Sequence, residues 1–139
     1  MKKSILKQFL LWAFFIGTIV TFATCQKASI NGDLDGRWQM MQLEIDDEYE
    51  NVASEQLYYN FYMHVCNLSY YGGVFTEGNM KFENDVLWLQ FPYIKTELGI
   101  ENLKKYGIFS NPVQFRVEYL DNKKLILKEG DIVITLRKF

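Results

Sequence analysis

Two cysteines, a single histidine and one acidic run are the residues of this chain whose chemistry could go beyond packing. Cys25 carries the strongest signal. It ends a segment with a basic start (Lys2, Lys3, Lys7), an apolar stretch from Phe9 to Ala23, and the residues Phe22-Ala23-Thr24 immediately before it. Basic start, apolar middle and small residues at the end are the three parts of a secretory signal peptide. The apolar stretch is about 15 residues, short of the roughly 20 that span a bilayer. A cysteine at the cut site adds a nucleophile. Its thiolate accepts a diacylglyceryl group, and cleavage then leaves the acylated residue first. Each buried CH2 contributes about 0.8 kcal/mol, so several acyl chains hold a protein on a membrane. A plain signal peptide that happens to end at a cysteine and an uncleaved anchor helix are the other readings.

The division that follows is a signal peptide over 1–24, a lipidated tether over 25–33 and one domain over 34–139. No acidic run follows Cys25; the chain continues Gln26-Lys27-Ala28-Ser29-Ile30. The expected address is therefore the cell envelope, anchored in the outer membrane with the periplasmic side favoured over the cell surface.

The other reactive types are sparse. With Cys25 acylated, Cys66 has no partner for an internal disulfide, and it reads as a buried thiol. A structural zinc site needs four Cys or His ligands, and this domain offers Cys66 and His64. A hydrolytic triad would have to use His64, and no Gly-x-Ser-x-Gly turn supports one. Asp46-Asp47-Glu48, with Glu50 and Glu55, lacks the spacing of a calcium loop and reads as a solvated connection. Gly72-Gly73 lies in a strand pattern and reads as a bulge or bend, not a phosphate loop. No metal, no cofactor and no enzymatic activity are expected.

Charge narrows the partners. The whole chain has 15 basic and 17 acidic residues, and removal of the signal leaves 12 and 17. An acidic domain is unsuited to nucleic acid and has no polybasic attraction to anionic lipid.

From Leu34 onward the apolar residues recur mainly with period two, the mark of strands. Eight are expected: 36–45, 57–66, 69–77, 79–83, 86–91, 113–120, 124–129 and 132–138. Asp121-Asn122 and Glu129-Gly130-Asp131 suit hairpin turns, as do Glu77-Gly78-Asn79 and Asn84-Asp85. Between strands five and six, Ile100 to Tyr106 suits a short helix stopped by Gly107. Leu103 and Tyr106 would face the body of the protein, so that the helix covers one end.

Eight antiparallel strands dispose of their edges by closing into an up-and-down barrel; a β-sandwich is the second choice. A barrel of this size either fills its interior with side chains or holds one small ligand. Aromatic residues make up 17% of the chain, enough for either. If Leu57 marks the inward face, the inward set is Tyr59, Phe61, Met63, Phe115, Val117 and Tyr119, with Trp88. Tyr59, Phe61, Met63, Trp88, Phe115 and Tyr119 are then the candidates to line a site for an apolar ligand. The competing reading is a filled barrel that meets a partner through exposed aromatics such as Tyr58, Tyr62 and Tyr70.

Two stretches resemble a known family. Asp35-Gly36-Arg37-Trp38 is similar to the Gly-x-Trp opening of lipocalins. The closing run from Lys124 through Ile132-Val133-Ile134-Thr135-Leu136-Arg137-Lys138-Phe139 is similar to the last hairpin of lipocalin-like domains in small bacterial lipoproteins. With Cys25, the chain resembles an uncharacterised lipocalin-like lipoprotein family of gut-type Gram-negative bacteria. The resemblance implies structural roles: Gly36 opens the first strand, Trp38 plugs one end of the barrel, and Arg137 packs across the indole. It implies no activity, because a fold does not specify one.

Overall fold

The computed structural model describes residues 2–8 and 29–139. Residues 2–8 are helical (α1). Cys25, expected to carry the lipid, the apolar part of the expected signal peptide and the first residues of the expected tether lie outside the described residues. Among the described residues, no helix is long and apolar enough to cross a membrane.

Nine strands follow: β1 (Gly36–Ile45), β2 (Glu48–Asn51), β3 (Leu57–Tyr62), β4 (Val65–Tyr70), β5 (Gly73–Glu83), β6 (Val86–Gln90), β7 (Val113–Leu120), β8 (Lys124–Glu129) and β9 (Ile132–Lys138). All pairings are antiparallel. From β3 to β9 each strand pairs with the next, β3 also pairs with β1, and β1 closes the ring against β9. The barrel therefore has eight strands, and β2 is an extra ribbon on the end of β1.

The barrel agrees with the sequence reading, while several strand limits do not. Leu57 to Cys66 is not one strand. Met63, at φ 53°, turns the chain with His64 and starts β4 at Val65. The next turn is Tyr71-Gly72, with Gly72 at φ 93°, so the paired glycines mark a hairpin and not a bend within a strand. Glu77-Gly78-Asn79, expected as a turn, is the middle of β5. A Cβ on Gly78 would lie 2.5 Å from the Gln90 carbonyl oxygen and 2.6 Å from the Phe91 ring. Gly78 is there for close approach of the neighbouring strand, which a local pattern cannot distinguish from turn chemistry. The acidic run is also not a simple loop: Asp46 and Asp47 take φ 52° and 66°, and Glu48 begins β2.

The helix α2 runs Glu97–Lys105, between β6 and β7. It lies between the two expected segments and starts three residues earlier than Ile100. Thr96 explains the start, because its Oγ1 accepts from the Gly99 N–H and satisfies an exposed first-turn donor. Gly107 follows the last turn at φ 76°.

The core is continuous around the barrel. Trp38, Tyr59, Phe61, Leu68, Leu87, Leu89, Phe91, Phe115, Leu127 and Leu136 are all buried within it. At about 25 cal/mol per Å2 of apolar area removed from water, rings of this size dominate the stabilisation.

Candidate functional site

Three places could do more than pack: the barrel interior, its two ends and its outer wall. Inside, Tyr59 is 0% exposed, Phe61 1% and Phe115 0%. The three rings, together with Trp38 and Phe91, are among the largest fully buried side chains of the core.

The other three residues expected to line a ligand site are not inside. Met63 sits in the β3–β4 turn and is exposed. Trp88 lies on the outer wall, because Leu87 and Leu89 on either side of it point in. It is half-buried in a groove with Lys81 and Gln114, its two cross-strand neighbours. Tyr119 is turned outward by a bulge. The β7–β8 register skips Glu118, so Val117 and Leu120 face in and Tyr119 faces out. Its hydroxyl donates to Asp121 Oδ2 at 2.6 Å. An extra residue in a strand reverses the faces beyond it.

One end of the barrel is closed by the chain entering β1. Gly32–Leu34 forms a 3-10 turn, and the Trp38 indole N–H donates to the Leu34 carbonyl at 2.7 Å. Asn31 donates to Asp35 Oδ1 and to the Met63 carbonyl. Residues 29–33, expected as a free tether, are therefore bonded to the domain. Gly36, at φ 129°, brings the backbone beside Lys138, whose Cε would be 2.8 Å from a Cβ there. The cation over Trp38 is Lys138, with Nζ 5.0 Å from the ring, and not Arg137. The register decides this. Trp38 faces Lys138 across the β1–β9 pair, whereas Arg137 faces Gln39 on the outer wall and donates to its Oε1 at 3.0 Å.

The other end is closed by the segment from Phe91 to Asn111. Its own Leu103, Tyr106 and Ile108 are buried. Tyr59 donates its hydroxyl to the Tyr106 carbonyl, and Tyr106 donates its own to the Ser69 carbonyl at 3.0 Å. Phe75 stacks on Tyr106 with centroids 5.6 Å apart. The Asn111 amide clasps Phe91, accepting from its N–H and donating to its carbonyl, both at 2.9 Å. Burial pushes the Tyr59 hydroxyl, the Tyr106 hydroxyl and the Cys66 thiol well above their ordinary pKa values. Cys66 is thus a protonated packing residue, since reactivity belongs to the thiolate.

The outer wall carries an arrangement the sequence reading did not single out. Arg37 lies flat over Tyr58, with Cζ 4.0 Å from its centroid, and reaches Phe139 at 5.1 Å. This cover buries Tyr58 to 4% exposure although it points outward. Tyr58 is accordingly unavailable as a contact residue, while Tyr62 and Tyr70 remain exposed. Beside Arg37 is a groove of about 470 Å3 with Asn60, Asn67, Ser69 and Tyr70 in its walls. Asn60 Nδ2 donates to the Asn67 carbonyl and to Ser69 Oγ. The alternation of Asn60 with Tyr58 and Tyr62 was a usable signal for this face.

Among the described residues, no group of three or more His, Cys, Asp or Glu side chains is placed to hold a metal ion.

Comparison with known proteins agrees with this geometry. A family model described as a lipocalin-like domain matches residues 20–139. A solved lipocalin-like protein from Bacteroides uniformis ATCC 8492 superposes with a TM-score of 0.62 at 25% identity, over 78% of this chain and 100% of that one. An uncharacterized protein from Bacteroides eggerthii DSM 20697 superposes with a TM-score of 0.58 at 20% identity, over 76% and 98%. The curated proteins contain no match.

Proposed function

The chain belongs to the lipocalin-like domain family, and from that premise we propose that it is a lipid-anchored envelope protein whose filled barrel works through its outer surface. The observation that carries this reading is the occupied barrel centre: Tyr59, Phe61 and Phe115 are at most 1% exposed and packed among other core rings. The anchor is Cys25. Its chain enters the domain at the Trp38 end, so the helix-capped end points away from the membrane.

A second reading has one observation in its favour. The far end is covered by a single chain segment whose polar attachments to the barrel strands include the Tyr59 and Tyr106 hydroxyl bonds. Displacing that segment would uncover aromatic rings suited to a small apolar ligand.

Native mass spectrometry of the full-length protein, released in mild detergent from the cells that make it, separates the two. A filled barrel gives the mass of the acylated chain alone. A reproducible extra mass that leaves on denaturation overturns it in favour of an enclosed ligand. The same spectrum reads the acylation of Cys25. Cys25→Ala is expected to lose that mass and to leave the membrane fraction, and its retention there would refute the anchor.

A further inference from the structure

We propose that the Trp38 end of the barrel is a membrane-docking surface, seated among the phospholipid headgroups of the bilayer that holds Cys25. This deepens the lipid-anchor reading and rests on it.

The length of chain sets the distance. Ser29 is already bonded to the domain, with its Oγ 2.6 Å from Asp35 Oδ2. From Cys25 to Ser29 the chain can span at most about 14 Å. A strand of ten residues such as β1 is about 33 Å long. The tether therefore holds the Trp38 end at the bilayer and cannot bring the helix end to it.

That end exposes apolar side chains around the point where the tether enters. Ile30, Tyr62 and Phe139 are 57%, 67% and 67% exposed, and Met63 is 41% exposed. They belong to one surface. Asn31, next to Ile30, donates to the Met63 carbonyl at 2.8 Å. The Phe139 N–H donates to the Arg37 carbonyl, and the Lys138 N–H donates to the Lys123 carbonyl, both at 2.8 Å. Lys138 Nζ donates to the Asp33 carbonyl at 2.9 Å. Aromatic rings with lysines beside them suit the boundary between headgroups and acyl chains, where the rings bury their apolar part and the ammonium groups meet phosphate.

Charge points the same way. The carboxylates in and beside the turns of this end are Asp33, Asp35, Glu83, Asp85 and Asp121. Lys81 pairs with Glu83 at 3.3 Å, and Arg37, Lys123, Lys124 and Lys138 offset the other four. The opposite end gathers Asp46, Asp47, Glu48, Glu50 and Glu55 in and around β2. The acidic surplus of the domain is thus concentrated where it faces away from anionic phospholipid, and the end that meets the bilayer is near neutral.

The test uses the full-length acylated protein in vesicles of phosphatidylethanolamine, with phosphatidylglycerol as the minor lipid. One dye is attached through His64→Cys, in the exposed β3–β4 turn, or through Tyr71→Cys, in the β4–β5 turn at the far end. Cys66 is buried and stays unlabelled. Lipids brominated near the headgroup end of their chains should quench the dye at position 64 and spare the dye at position 71. Adding Tyr62→Ser and Met63→Ser, both at exposed positions, should remove most of the quenching at 64. Equal quenching at the two positions, or more at 71, overturns the docking, as does quenching at 64 that survives the double substitution unchanged. The mass of the reconstituted chain separates this from the anchor reading. A chain without acyl groups overturns the anchor and the docking with it, whereas an acylated chain whose two dyes behave alike overturns the docking alone.

Discussion

The two ends of this barrel are closed by different means. At the Trp38 end the hydrogen bond of the indole is local, with Asn31 and Lys138 adding distant contacts. The indole bonds to a carbonyl four residues earlier, and the turn that presents that carbonyl runs directly into β1. At the helix end the seal is long-range. Tyr59 reaches a carbonyl 47 residues away, and Tyr106 reaches back 37 residues to Ser69. A local seal costs little chain entropy and forms with its strand, whereas a distant one needs the sheet in place first. The Trp38 end is thus part of the barrel's construction, and the helix end is a cover laid over it.

The sharpest way to break the comparison is at the indole. Trp38→Ala removes a fully buried ring from the closed end, and about 3–5 kcal/mol of stability should be lost. Urea unfolding measures this; a midpoint near that of the parent would mean that the closed end is not part of the core. Next comes the cover. Tyr59→Phe removes the donor to the Tyr106 carbonyl and should cost about 1–3 kcal/mol. Hydrogen exchange should then rise first in residues 97–108, and uniform acceleration through the barrel would show that the helix end is no separate cover.

Alkaline pH tests the same end without a substitution. Tyr59, Tyr106 and Cys66 are neutral when protonated, and burial favours the neutral form, so their pKa values are raised on folding. Their contribution is complete below the unfolded values, about 8.5 for a thiol and 10 for a phenol, and is lost as pH rises beyond them. For the fully buried Tyr59 and Cys66 the loss approaches about 1.4 kcal/mol per pH unit per group. The melting temperature should hold to about pH 8.5 and then fall, less steeply in Tyr59→Phe; an equal slope in the two would clear Tyr59 of a part. The smallest effect is expected at Lys138→Ala, about 0.5–1 kcal/mol from loss of the cation over the indole. A shift in Trp38 fluorescence would accompany it.

The two ends also differ in how far the sequence discloses them. Gly36 and Trp38 are readable as a short motif, and the indole's hydrogen-bond partner, the Leu34 carbonyl, is nearby in the chain, although Lys138 beside both is not. The last hairpin is readable for the same reason: 124–129 and 132–138 are expected and observed strands, with Gly130 between them. The β3–β5 region is harder. Leu57 to Cys66 alternates without interruption, and the Met63-His64 turn has neither glycine nor proline to betray it. Face assignments fail where one residue is inserted. Glu118 is bulged, and Tyr119 changes sides although the alternation of β7 continues through it in the sequence. Trp88 differs: Leu87 and Leu89 on either side of it mark the inward phase of β6, which places Trp88 on the outer wall.

What the sequence determined alone was periodic or local: strand character, the turns at Asn84-Asp85 and Gly130, the helix stop at Gly107, the count of reactive residues, and the Gly-x-Trp opening. These depend on φ preference, side-chain period and neighbours within a few residues. Tertiary structure decided everything that needs two distant strands in register. It chose Lys138 over Arg137 for the indole, set Tyr59 against Tyr106, and aligned Arg37, Asn60, Asn67 and Glu77 in one row. The physical reason is that a strand's own pattern gives only which residues share a face. Which residue of the next strand lies opposite is set by register, and register is a property of the closed sheet.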